Sequence, residues 1–135
     1  EHPSASPPAD VEGAVEALER VLALPGKTLI VCATDLSSAN GSSLDAESSR
    51  AIRERDQRAV DHAIRSDADA LWREASSDGD RAQSTASIAA YVFVRLCAER
   101  ASVDPERGRV AGAVLGYQQL PRPHGLATAA SLLFY

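Results

Sequence analysis

The chain has 135 residues, the size of one domain, and its 44% hydrophobic and 24% charged residues describe a globular protein and exclude a disordered one. A formal net charge of -5 argues against a non-specific nucleic-acid binder, whose affinity rests on cations displacing counterions from phosphates. No apolar run approaches the length of a membrane span.

Residues 1–9, EHPSASPPA, carry Pro3, Pro7 and Pro8 among small polar residues and read as a flexible lead-in to a single globular domain over 10–135. Asp10 has the side chain of a helix cap. Behind it Val11, Ala14, Val15, Leu18, Val21 and Leu22 recur at helical spacing, with Glu12, Glu16 and Glu19 off the stripe. This predicts an amphipathic helix stopped by Pro25-Gly26. Residues 27–34, KTLIVCAT, are a continuous apolar run rich in β-branched residues, the pattern of a strand buried on both faces. Residues 35–43 read as loop.

From about Leu44 to Ala75 the chain reads as a long central helix, with room for a kink. Glu54–Arg58, Asp61–Arg65 and Asp69–Arg73 each place an acid four residues ahead of a base, the orientation that suits pairing across a helical turn. Val60, Ile64, Leu71 and Ala75 form its apolar stripe, and SSDGD ends it. The stretch over 82–100 is ambiguous, because YVFVRLC is dense in strand formers. DPERG is a turn, and RVAGAVLGYQQL and LATAASLLFY read as two strands separated by PRPHG. The expected fold is α+β: an antiparallel sheet of about four strands, packed on one face by the N-terminal helix and the long central helix. The rival is a mostly α chain in which 82–100 is helical.

Cys32 and Cys97 fall in the two most apolar stretches, both expected inside, and are expected to pair outside the cytosol, where the loop-entropy argument gives such a long bridge roughly 4 kcal/mol. Asn40-Gly41-Ser42 is a glycosylation sequon, relevant only to a eukaryotic secretory route. Methionine is absent and Lys27 is the single lysine, which suggests a GC-rich source and a mature chain whose leader has been removed. These features favour an extracellular or cell-envelope location, with organelle import as the alternative.

The candidate sites are modest. Asp35 opens a loop as the metal pattern Asp-x-Ser-x-Ser would, but Ala39 supplies no oxygen. As a calcium loop it puts Asn40 where the turn glycine belongs and Ala46 where the bidentate acid belongs. Asp35 is better read as capping a turn at the sheet edge, and as a binding candidate. His2 lies in the lead-in, and His62 is expected exposed, opposite the apolar stripe and between Arg58 and Arg65. Neither has a histidine or cysteine at ligand spacing, so no metal is expected. Asp56, Asp67 and Glu74 project beside the stripe, as rim acids with heads in water or as the lining of a polar groove. Trp72 is a core residue or an interface anchor. No acid follows Glu106, whereas Arg107, Arg109 and Arg122 do, which leaves the tail mildly basic.

With no phosphate loop, no GxGxxG and no serine elbow, the leading expectation is a binding domain without catalytic chemistry or cofactor. Its partner would be a protein or small molecule in preference to nucleic acid. The alternative is a metal-free, ribonuclease-like hydrolase with His124 as general acid, Arg122 as anion clamp, and Glu99 or Glu106 as base.

Overall fold

A computed structural model describes residues 6–26, 28–34, 36–40, 45–77, 85–103 and 112–134. His2, Asp35, Glu106 and the Gly41-Ser42 half of the sequon lie outside the described residues. The architecture is α+β, with four helices and one three-stranded antiparallel sheet among the described residues.

Helix α1 spans Ala9–Leu22. It opens on Pro8, not on Asp10: the extended backbone of Pro8 precedes the first turn, and its carbonyl accepts from the amides of Val11 and Glu12. Asp10 instead sits in the first turn, where its charge complements the helix dipole. Val11 and Val15 are buried and Leu22 is half-buried, whereas Ala14, Leu18 and Val21 are exposed, so the predicted stripe is covered only in part.

The predicted helix over 44–75 is two helices. Helix α2, Ala46–Ile64, is capped by Asp45, whose carboxylate accepts from the Ser48 amide at 2.7 Å and is thereby held below its ordinary pKa. At its far end the Asp67 amide donates to the His62 carbonyl at 3.0 Å and the Ser66 amide to the Ala63 carbonyl at 2.9 Å, with Ser66 at φ 55°. This is a Schellman stop, with serine where glycine is usual. Asp67 then accepts from the Ala70 amide at 3.0 Å and caps helix α3, Ala68–Ser77. Serine and aspartate bond readily to nearby backbone, and here that tendency divides what the apolar spacing joined.

Residues 85–100 are not a strand. Helix α4 runs Thr85–Val103. Tyr91, Val94 and Leu96 are buried, and Ile88, Val92, Phe93 and Cys97 are half-buried, so apolar side chains face several directions at once. A helix packed on several sides has no polar face to reveal its period. The modest propensity cost of its β-branched and aromatic residues is outweighed by that burial.

Strand β1 is Ser37–Asn40, β2 is Gly112–Arg122 and β3 is Gly125–Phe134, in the order β1-β3-β2. Among the described residues the sheet therefore has three strands where about four were expected. Two expected strands are not in it, the helical second half of 82–100 and KTLIVCAT, whereas Ser37–Asn40, expected to be loop, is a strand. Residues 28–34 run outside any helix or strand, with Leu29 88% and Val31 76% exposed. A short apolar run carries no period to separate a buried strand from a strap laid over a core. The β2–β3 hairpin closes on Pro123-His124, with Arg122 opposite Gly125. Gly112 starts β2 against α2: a Cβ there would stand 2.6 Å from Ile64 Cα, so only glycine lets the two backbones approach this closely.

The core joins α1, α2, α3 and α4 through Val11, Ala63, Ala68, Leu71, Trp72, Tyr91 and Val94. Trp72 meets Tyr91 edge to face at 5.0 Å, and Phe93 meets Phe134 at 5.2 Å, which ties α4 to β3. Tyr91 donates its hydroxyl to Glu12 at 2.7 Å, and Arg95 reaches both Glu12 and Glu99, clamping α1 to α4.

Burial first, and then the Glu12 carboxylate, pushes the Tyr91 hydroxyl from its ordinary 10.0 up to about 12. Burial likewise pushes the Cys97 thiol from 9.0 up to about 11. Both folded values are raised, so the stability linked to each proton is intact below the unfolded value and is lost as pH rises through the folded one. The urea midpoint is expected to hold to pH 9 and then fall progressively to pH 12. In Tyr91→Phe the decline above pH 10 should be shallower, and an unchanged decline would contradict the assignment.

Candidate functional site

A cleft of about 400 Å³ lies between α2, α3, α4 and β3, with the 28–34 segment along it. Helical spacing sets its walls: Asp56, Ala59, Val60 and Ala63 share one face of α2, and Ala90, Phe93 and Val94 face in from α4. The space exists because so many wall positions are alanine. Ala59, Ala63, Ala75, Ala90 and Ala130 all line it, and short side chains there cannot fill the gap between the elements. Leu132 and Phe134 close the sheet side, while Ile30 and Cys32 belong to the strap.

The polar end is built on Asp56, which is 1% exposed. Its Oδ1 accepts from Ser37 Oγ of β1 at 2.5 Å, and its Oδ2 accepts from the Tyr117 hydroxyl of β2 at 2.8 Å. Arg55 Nη2 donates to Ser37 Oγ at 3.0 Å. Gln119 Nε2 donates to the Tyr117 hydroxyl at 3.3 Å and to the Ser49 carbonyl at 3.1 Å, and the Arg53 guanidinium lies 5.3 Å from the Tyr117 ring centre. Burial, and next the bond to Asp56, raises the Tyr117 pKa. Asp56 is thus no rim acid with its head in water: it joins a helix to two strands from inside.

Glu74 marks another edge of the cleft. Its Oε1 accepts from Arg58 Nε at 2.5 Å, and its Oε2 lies 3.0 Å from His62 Nε2. His62, expected exposed, is half-buried, and Arg58 reaches across to α3 although Glu54 stands one turn before it on α2. The bend at Ser66 folds α3 back on α2 and creates both pairings. Asp67 serves as the cap of α3.

The cysteines are free. Cys32 is exposed, its Sγ 3.7 Å from the Ala89 carbonyl, while Cys97 lies further along the same helix α4. At 1.5 Å per residue, the eight residues from Ala89 to Cys97 amount to about 12 Å of helix axis, beyond the reach of a disulfide. The cysteines therefore supply no argument for an oxidising compartment. Burial raises the pKa of both thiols.

Trp72 is buried in the core. Arg122 and His124 stand exposed at the β2–β3 turn, and Glu99 is bound to Arg95 on α4. Asn40 pairs through its backbone register with Gly125. Among the described residues, no three His, Cys, Asp or Glu side chains converge as a metal site would require, and no helix is long and apolar enough to cross a membrane.

Sequence reasoning singled out Asp56 but missed its partners. Ser37 is 19 positions away and Tyr117 is 61, and no local signal connects hydroxyls to a carboxylate over such separations. No protein-family model, curated protein or solved structure matches the chain.

Proposed function

We propose that this chain is a binding domain, without catalytic chemistry of its own, that holds a small and mainly apolar ligand in the cleft beside residues 28–34. The observation that carries this reading is the cleft itself: about 400 Å³, walled by alanine, valine and phenylalanine side chains from several elements, with a few polar groups at its edges. That volume and mixture are typical of small-molecule sites. What favours binding over catalysis is the state of the polar groups. Both oxygens of Asp56 hold hydroxyl donors, and both oxygens of Glu74 face cationic or imidazole partners. Neither carboxylate is presented to a substrate proton.

The test uses the neutral fluorophore N-phenyl-1-naphthylamine with the whole chain. Its emission is expected to rise saturably at one equivalent. Occupancy should slow maleimide labelling of Cys32, which lines the cleft, at least threefold while Cys97 labelling is unaffected. A linear, unsaturable rise with unchanged Cys32 labelling would refute the proposal.

A further inference from the structure

We infer that the cleft selects an uncharged ligand, an alkyl or aryl body carrying at most a hydroxyl or carbonyl group, and rejects carboxylate and ammonium analogues of the same body. This rests on the binding reading above and narrows it to a ligand class.

Among the described residues, the charged side chains lining the cleft are Arg55, Asp56 and Glu74. They sum to one negative charge, and each is already engaged: Asp56 by Ser37 and Tyr117, Glu74 by Arg58 and His62, and Arg55 by Ser37 Oγ. An anionic head would enter a site with two carboxylates and one guanidinium. That guanidinium donates to Ser37 Oγ, which itself donates to buried Asp56, so its field is already opposed. A cationic head would have to compete with two hydroxyls for Asp56, or with Arg58 and His62 for Glu74. In either case the ion leaves water with no uncommitted counter-charge among the described lining residues, which is far more costly than burying a hydrogen-bonded neutral group. A hydroxyl or carbonyl asks only for a hydrogen bond, and Thr34 and Ser87 are among the residues that line the cleft. The rest of the lining rewards the removal of apolar surface from water.

The experiment displaces N-phenyl-1-naphthylamine from the whole chain at pH 7.5 with 1-decanol, sodium decanoate and decylammonium chloride, all below micellar concentrations. Cys32 labelling is followed in parallel to locate each competitor. The expected result is an inhibition constant for decanol at least tenfold below that of either ion, with Cys32 protected by decanol. If either ion competes within tenfold of decanol, the selection for neutral ligands is wrong while the binding domain stands. If the fluorophore does not bind saturably and no competitor protects Cys32, the binding reading fails and takes this inference with it.

Discussion

Asp56→Ala is expected to lower folding stability by about 3 kcal/mol, since the substitution orphans hydroxyl groups whose unmet hydrogen bonds each cost on the order of 1–3 kcal/mol. The wild-type carboxylate, almost wholly buried, is the shared acceptor of Ser37 from β1 and Tyr117 from β2. Alanine leaves both hydroxyls facing a void and leaves Arg55 beside a serine that has lost its acceptor. Asp56→Asn keeps the shape and one carbonyl acceptor, so it should cost roughly half as much. Tyr117→Phe removes one of the two donors. Combined with Asp56→Ala it should cost less than the sum of the single changes, because the two residues share one bond. Urea denaturation followed by circular dichroism measures all four variants. A loss below about 1 kcal/mol for Asp56→Ala would show that water or neighbouring groups replace the carboxylate, and strict additivity would show that the Tyr117 bond contributes nothing.

Trp72→Ala is expected to cost about 4 kcal/mol, within the range for truncating a large aromatic in a core. Trp72 is packed edge to face on Tyr91 and lies in the cluster that holds α1, α3 and α4 together. Its removal opens a space beside a tyrosine whose hydroxyl is committed to Glu12, so Tyr91 cannot swing in to fill it. A domain of this size is stable by roughly 5–15 kcal/mol, so the variant would sit near the edge of folding. It also removes the single tryptophan, so the measurement needs circular dichroism or calorimetry. Trp72→Phe retains an aromatic edge toward Tyr91 and should recover at least half of the loss. Equal destabilisation by the two substitutions would mean that the ring contact is not what stabilises the site.

Several elements could be read along the chain and others could not, and the division has a physical cause. Helix α1 and the helical character of α2 and α3 were legible because each packs on a limited face and leaves most of its acids and arginines in water. The β2–β3 hairpin was legible because the proline and glycine of PRPHG set a turn between two apolar runs. Helix α4 was not, since the side chains that would mark its period are covered from several directions. One signal was present: Arg95 and Glu99 stand four residues apart and do pair. The break between α2 and α3 also had a local sign, Ser66-Asp67 ahead of Ala68, overridden in the reading by apolar spacing that continues across it.

The sequence by itself determined an α+β chain with an amphipathic first helix, a central helical region and a closing hairpin, because these depend on side chains within a few residues of one another. It also picked out Asp56, Asp67 and Glu74 as positions beside the stripe, and Trp72 as a core residue or an interface anchor. Only the tertiary structure decided that Asp56 is buried, that His62 turns to Glu74, that the cysteines stay apart and that residues 28–34 cross a cleft as a strap. Each of those outcomes depends on groups far apart in the chain meeting after the elements pack. A buried carboxylate and a solvated one are the same letter until the hydroxyls that satisfy it arrive from other strands.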